Sequence, residues 1–134
     1  MRIARIFDGV TADAGPRMAA DHAKAEPAAA ERLSAYLRSG VLVLGSAATL
    51  DDVVDPARGA VVPMSFRTDG DWVWCEAVAY YVEEHGLLPE AEFVAAIQAR
   101  GFVHRPVDDA TLRLALTVLL EPDPADGPAW VKPG

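Results

Sequence analysis

Arg67, Asp69, Asp71, Trp72 and Trp74 crowd into one short run, Arg-Thr-Asp-Gly-Asp-Trp-Val-Trp, and Tyr81 and His85 follow at helical spacing. A guanidinium beside two indoles suits cation–π stacking, worth about 0.5–1 kcal/mol when exposed. Trp and Arg are also the side chains that dominate binding hot spots. Thr68-Asp69-Gly70-Asp71 is a turn signal between two candidate strands, 61–67 and 72–74. A two- or four-residue loop sets Arg67 opposite Trp72, Phe66 opposite Val73 and Ser65 opposite Trp74. Val62, Met64, Phe66 and Val73 then form an apolar face, and Ser65, Arg67, Trp72 and Trp74 form the other. Two placements of the indoles are open. They make a recognition patch with Asp69 and Asp71 at its tip, or they are core beneath helices that cover this face. A three-residue loop with a bulge would also turn the Trp pair onto the apolar face.

The same segment allows an enzymatic reading. Arg67, Asp69, Tyr81 and His85 would line a pocket between the 61–74 hairpin and the helix after it. The competing role for His85 is structural, because a His in a last helical turn can satisfy free carbonyls and complement the dipole. Asp51-Asp52-Val53-Val54-Asp55 matches the DDxxD pattern whose carboxylates hold magnesium on a diphosphate. Beside Pro56 it reads instead as helix-cap acids. Cys75 adjoins Glu76 with no basic activator and reads as a small buried thiol. His22, His85 and His104 form no HxH or HExxH pattern, and no CxxC occurs. Ser39, Ser46 and Ser65 lack a GxSxG context. We therefore expect no metal, no cofactor and no assignable catalytic residue.

The elements that position these side chains follow from periodicity and punctuation. Helices are predicted over about Ala28–Arg38 (Leu33, Tyr36 and Leu37 inward), Cys75–His85, Glu90–Arg100 and Asp109–Leu120. Trp74, Val78, Tyr81, Val82 and His85 recur at helical spacing and should face inward together. Gly40, Gly86 and Gly101 sit at expected helix ends, Pro89 at a helix entrance, and Asp108 or Asp109 at a cap. Residues 2–7 suggest a strand ended by Asp8-Gly9, residues 18–20 a weak helix, and Val41–Leu44 a short buried strand. Thr49–Asp52 reads as a capping box opening one helical turn. Pro63 suggests an edge position. The implied fold is α+β: a small antiparallel sheet with a central hairpin at about 61–74, packed by three or four helices. Residues 1–120 form the domain, and 121–134 read as a Pro/Gly-rich tail in which Trp130 is a docking candidate.

Composition limits the function classes. The 134 residues include 20 acidic and 12 basic side chains, giving a net charge of −8. That disfavours nucleic acid and anionic membrane surfaces as partners. No apolar run reaches the length of a membrane span, the N-terminus does not read as a signal peptide, and a single cysteine fits a cytoplasmic location.

Residues 65–86 resemble a segment of small actinobacterial proteins with no established function. The shared pattern is R-T-D-G-x-W-x-W, an A-x-Y-Y helix and an H-G stop, spanning about Val61 to Phe102 here. The resemblance implies no activity; similar small acidic proteins look like immunity or interaction modules. Three functions are carried forward. The first is an acidic cytoplasmic protein-binding module, immunity-type or regulatory, with a basic protein partner and Arg67, Asp69, Asp71, Trp72, Trp74, Tyr81 and His85 as its site. The second is a small enzyme using the hairpin–helix pocket. The third is a homodimer seamed by the Pro63 strand and the Leu-rich final helix.

Overall fold

The computed structural model describes residues 1–11 and 15–121. The expected tail and Trp130 lie outside the described residues. The fold is α+β, with four α-helices beside a four-stranded sheet and two small two-stranded sheets among the described residues.

Helix α1 (Pro27–Arg38) starts with Pro at its first turn, where the missing N–H is no loss, and buries Leu33, Tyr36 and Leu37. It ends at Ser39 in right-handed geometry, so Gly40 is not the left-handed cap its position suggested. Gly40 is required for space: a Cβ there would lie 2.5 Å from Trp74 Cζ2 and 3.2 Å from Arg67 Cβ. Strand β4 (Val41–Leu44) follows at once.

The hairpin forms, but with a shifted register. Strands β7 (Phe66–Thr68) and β8 (Trp72–Cys75) pair Thr68 with Val73, Arg67 with Trp74 and Phe66 with Cys75. The displacement is two residues, so the alternation of faces survives. Arg67 still shares its face with Trp72 and Trp74. The sheet order is β1-β8-β7-β4, where β1 is Arg2–Ile3. Strand β1 joins β8 in parallel, so the sheet is mixed. This places β8 inside the sheet, and all four of its residues are buried.

Several local expectations change. Only Arg2–Ile3 of the 2–7 run is strand, and Gly9 opens β2 (Gly9–Thr11), which pairs with β3 (Gly15–Arg17). No helix forms at 18–20, where the Ala19 N–H donates to the Asp8 carboxylate. Thr49–Asp51 is strand β5, paired with β6 (Ala60–Pro63). The Asp52 carboxylate does accept local amides, from Val54 and Asp55, but in a turn rather than a helix. Pro56–Arg58 then forms one 3₁₀ turn. The expected 61–67 strand is split between β6 and β7. Strand β4 is an edge, with Val41, Leu42 and Leu44 exposed rather than buried.

Helix α2 (Glu76–His85) is capped by Cys75, whose Sγ accepts from the Ala77 N–H, and it stops at Gly86 with φ 67°. That left-handed geometry lets the Gly86 and Leu87 amides close on Val82 O and Tyr81 O. Helix α3 (Ala91–Ala99) runs between Glu90 and Arg100, and α4 (Asp109–Leu120) is capped by Asp108 accepting from Thr111 N at 2.7 Å. Helix α1 packs on α2, α2 on β6 and β8, and α4 on β4, β1 and β8. One apolar cluster unites them, with Leu37, Val62, Val73, Trp74, Tyr81, Val82, Phe93 and Ile97 fully buried. Among the described residues no helix is long and apolar enough to cross a membrane.

Candidate functional site

The Trp pair is core. Trp74 has no exposed surface and Trp72 has 8%. Phe93 of α3 packs on both indoles, with ring centroids 5.0 Å and 5.3 Å away. The Trp74 Nε1–H donates to Leu37 O at 3.1 Å, and the Tyr36 ring stacks beside it. The patch expected at Arg67, Trp72 and Trp74 is therefore not a surface feature. The Arg67 guanidinium donates to Glu76 at 2.9 Å and to Gly40 O at 2.8 Å. The cation over Trp72 is Arg2, 4.8 Å from the ring.

The two aspartates of the hairpin tip differ, Asp71 being exposed and Asp69 buried. Asp69 is 2% exposed. Its Oδ1 accepts from the amides of Asp71 and Trp72, and its Oδ2 accepts from the Tyr36 hydroxyl at 2.7 Å. Arg100 donates to Asp69 O and to the exposed Asp71 carboxylate, stapling the end of α3 to the turn. Burial, then the adjoining Asp69 carboxylate, pushes the Tyr36 hydroxyl well above the ordinary tyrosine range. His104 lies flat on Tyr36 at 4.0 Å and donates from Nε2 to Tyr36 O.

The third locus forms where the end of α2 meets the turn after β5. His85 Nε2 lies 2.6 Å from Asp52 Oδ2, and the Tyr80 hydroxyl donates to the same oxygen at 2.7 Å. Asp52 has no exposed surface. Burial alone would raise its carboxyl. The bonds from His85, Asp55 N, Tyr80 and Val54 N outweigh that and hold it at about 2. Tyr81 stacks on His85 at 5.9 Å and accepts from Val53 N at 3.0 Å, while burial pushes its hydroxyl up to about 12. His85 satisfies a buried carboxylate rather than helix-end carbonyls.

The structure distributes the expected site residues over separate places, and only Tyr81 and His85 reach the Asp52 locus. Asp69 and Asp71 belong to the Arg100 staple, Arg67 to the end of α1, and the indoles to the core. The enzymatic quartet Arg67, Asp69, Tyr81 and His85 is thus divided among three places. The DDxxD carboxylates separate too: Asp51 is exposed, Asp52 is buried, and Asp55 pairs with Arg58. Among the described residues, no three His, Cys, Asp or Glu side chains are grouped to hold a metal. Cys75 is buried, and desolvation pushes its thiol up to about 12.

His85 also lines a cleft of about 430 Å³ between the first turns of α1 and the last turn of α2. Ala30, Ser34 and Val82 are its buried floor, and Glu31 and Glu83 are its exposed rim. Glu83 is held by Arg38, whereas no described cation lies within ion-pair distance of Glu31. Glu31, Ser34, Asp52 and Tyr80 were not singled out as site residues by the sequence reading. The α1 pair carried a signal only in hindsight of packing: positions 31 and 34 flank the buried Ala30 and Leu33. Asp52 sits 33 residues from His85, and no spacing rule links them. No family model matches the chain, and neither a curated protein nor a solved structure matches it.

Proposed function

We propose that this chain is a small acidic protein-binding module that takes a lysine or arginine side chain of a basic partner into the α1–α2 cleft. One observation carries the reading: the cleft sets a floor of Ala30, Ser34 and Val82 beside the Glu31 carboxylate of α1 and the Arg38-paired Glu83 carboxylate in the last turn of α2. The floor suits the methylenes of a long cationic side chain, and the rim carboxylates suit its charge. The net charge of −8 would steer a basic protein toward it. A cytoplasmic immunity-type or regulatory role, restraining a basic enzyme or toxin domain, fits this chemistry. The Arg67/Trp72/Trp74 patch drops out of the reading, and His85 stays as a cleft wall braced by Asp52.

The test is amide chemical-shift mapping with N-acetyl-arginine amide as probe. Shifts confined to Glu31, Ser34, Glu83 and His85 support the cleft. Shifts scattered over carboxylates across the molecule reject it.

A second reading rests on the 2.6 Å Asp52–His85 contact. A carboxylate-braced imidazole at a cleft is the geometry of a general base. It predicts hydrolysis of activated esters that is lost in His85→Gln, and equal rates in both chains remove it.

A further inference from the structure

We infer that His22 is a pH-sensitive clasp: its imidazolium, with a proton on each ring nitrogen, fastens the chain before α1 to the connector between α2 and α3, and loss of one proton releases it. Nδ1 lies 2.8 Å from Asp8 Oδ2, and Nε2 lies 2.6 Å from Leu88 O. A carbonyl oxygen only accepts hydrogen bonds, and so does an ionised carboxylate. Both ring nitrogens must therefore donate, which the charged imidazolium alone can do. A neutral ring has one N–H and one lone pair, and the lone pair would face an oxygen at one of the two contacts. The side chain is 10% exposed, so little water reaches it to replace a lost bond.

The surroundings keep Asp8 an acceptor. Burial alone would raise its carboxyl, but the Ala19 amide, His22 and Arg17 outweigh that and hold it below the ordinary value. A cavity of about 520 Å³ beside the ring is lined by Arg5, Asp21 and Glu90 as well. The charged groups around His22 are thus Asp8, Asp21 and Glu90 against Arg5 and Arg17, with Lys24 exposed two positions on. Glu90 is itself committed, its carboxylate accepting from Arg5 N and pairing with Arg2. Backbone bonds continue from the ring: Leu88 N–H donates to Ala23 O at 2.9 Å, and Ala25 N–H donates to Gly86 O at 2.7 Å. An imidazole changes charge between about pH 5 and 8. A contact made by its charged form is held at the acid end and lost as pH rises. Ala25 and Gly86 also line the α1–α2 cleft, so release loosens that wall whatever the cleft binds.

The experiment is long-range proton–nitrogen NMR of the His22 ring in the full chain from about pH 5 to about pH 9, which separates the imidazolium from each neutral tautomer. Hydrogen exchange at the Ala25 and Leu88 amides, corrected for base catalysis, is read over the same range. The expected result is an imidazolium with both amides protected at the acid end. As the ring turns neutral, protection should fall at least about tenfold, the loss expected of one charge-assisted bond. His22→Gln should fold with an unchanged circular dichroism spectrum and show protection that no longer changes across the range. The ring spectra of the parent decide the matter even where the variant unfolds. A ring that stays neutral throughout, or charged throughout, overturns the inference. So does protection that holds while the ring titrates, or that falls equally in His22→Gln.

Discussion

The Asp52 carboxylate and the His85 imidazole meet at 2.6 Å, with Asp52 sealed from solvent and the Tyr80 hydroxyl on the same oxygen. This contact ties the turn after β5 to the last turn of α2, and it sets one wall of the cleft.

The contact makes stability pH-dependent in a definite direction. The Asp52 carboxyl lies at about 2 when folded, below its ordinary 3.8. A depressed carboxyl contributes stability above the ordinary value, and the contribution is lost as pH falls through the folded value. Urea unfolding between pH 6 and pH 2 should therefore show a decline beginning near pH 4, about 2 kcal/mol of it from this group. Asp52→Asn should be less stable at pH 6 and flatter below pH 4. Parallel pH curves for the two chains would refute the assignment.

Gly40 answers to space and not to helix capping. Gly40→Ala drives a methyl into the Trp74 ring and should destabilise by about 1–3 kcal/mol. Gly45→Ala meets its nearest atom, Leu42 Cδ2, at 3.9 Å and serves as the unstrained control. Thermal unfolding of the two variants beside the parent separates them.

Trp74 belongs to the core and not to a binding surface. Trp74→Ala should cost about 3–5 kcal/mol in chemical denaturation. Trp74→Phe should cost less but still lose the bond to Leu37 O. A near-neutral Trp74→Ala would contradict the packing.

The Tyr36–Asp69 contact should be sensitive to deletion of a single oxygen. Tyr36→Phe removes the hydroxyl that donates to the buried Asp69 carboxylate. The expected loss is about 1.5–3 kcal/mol by urea unfolding, the range for hydrogen bonds to charged groups.

Cys75 should be inert in the native chain. Its thiol is buried and held near 12, so an aromatic disulfide reagent at pH 8 should label it only on addition of denaturant. Rapid native labelling would place the thiol at the surface.

What the sequence disclosed was local. Helices α1, α2, α3 and α4 were readable because proline, glycine or cap residues at their ends coincide with apolar periodicity within a dozen positions. The hairpin faces were readable for the same reason, since a two-residue slip preserves alternation. Properties set by distant partners were not. The burial of Trp72 and Trp74 depends on Phe93 and on the end of α1. Strand β1 pairs in parallel with a strand 70 residues away, which no short pattern announces. Val41–Leu44 reads as a core strand because four apolar residues in a row satisfy that pattern, yet its position at the sheet edge exposes it. Of the site, Tyr81 and His85 were found through their helical spacing, while Asp52 was read as a cap or a DDxxD acid because its long-range partner left no local trace.

The central claim is that the carboxylates at the α1–α2 cleft, and not the total charge, receive a cationic side chain. The direct measurement is calorimetric titration of one lysine- and arginine-containing peptide into two variants that change charge equally. Glu31→Gln with Glu83→Gln should weaken binding at least tenfold, while Asp51→Asn with Asp109→Asn, both at exposed sites elsewhere, should leave it within about twofold. Equal weakening in both variants would reduce the cleft to one part of a diffuse acidic surface and contradict the account.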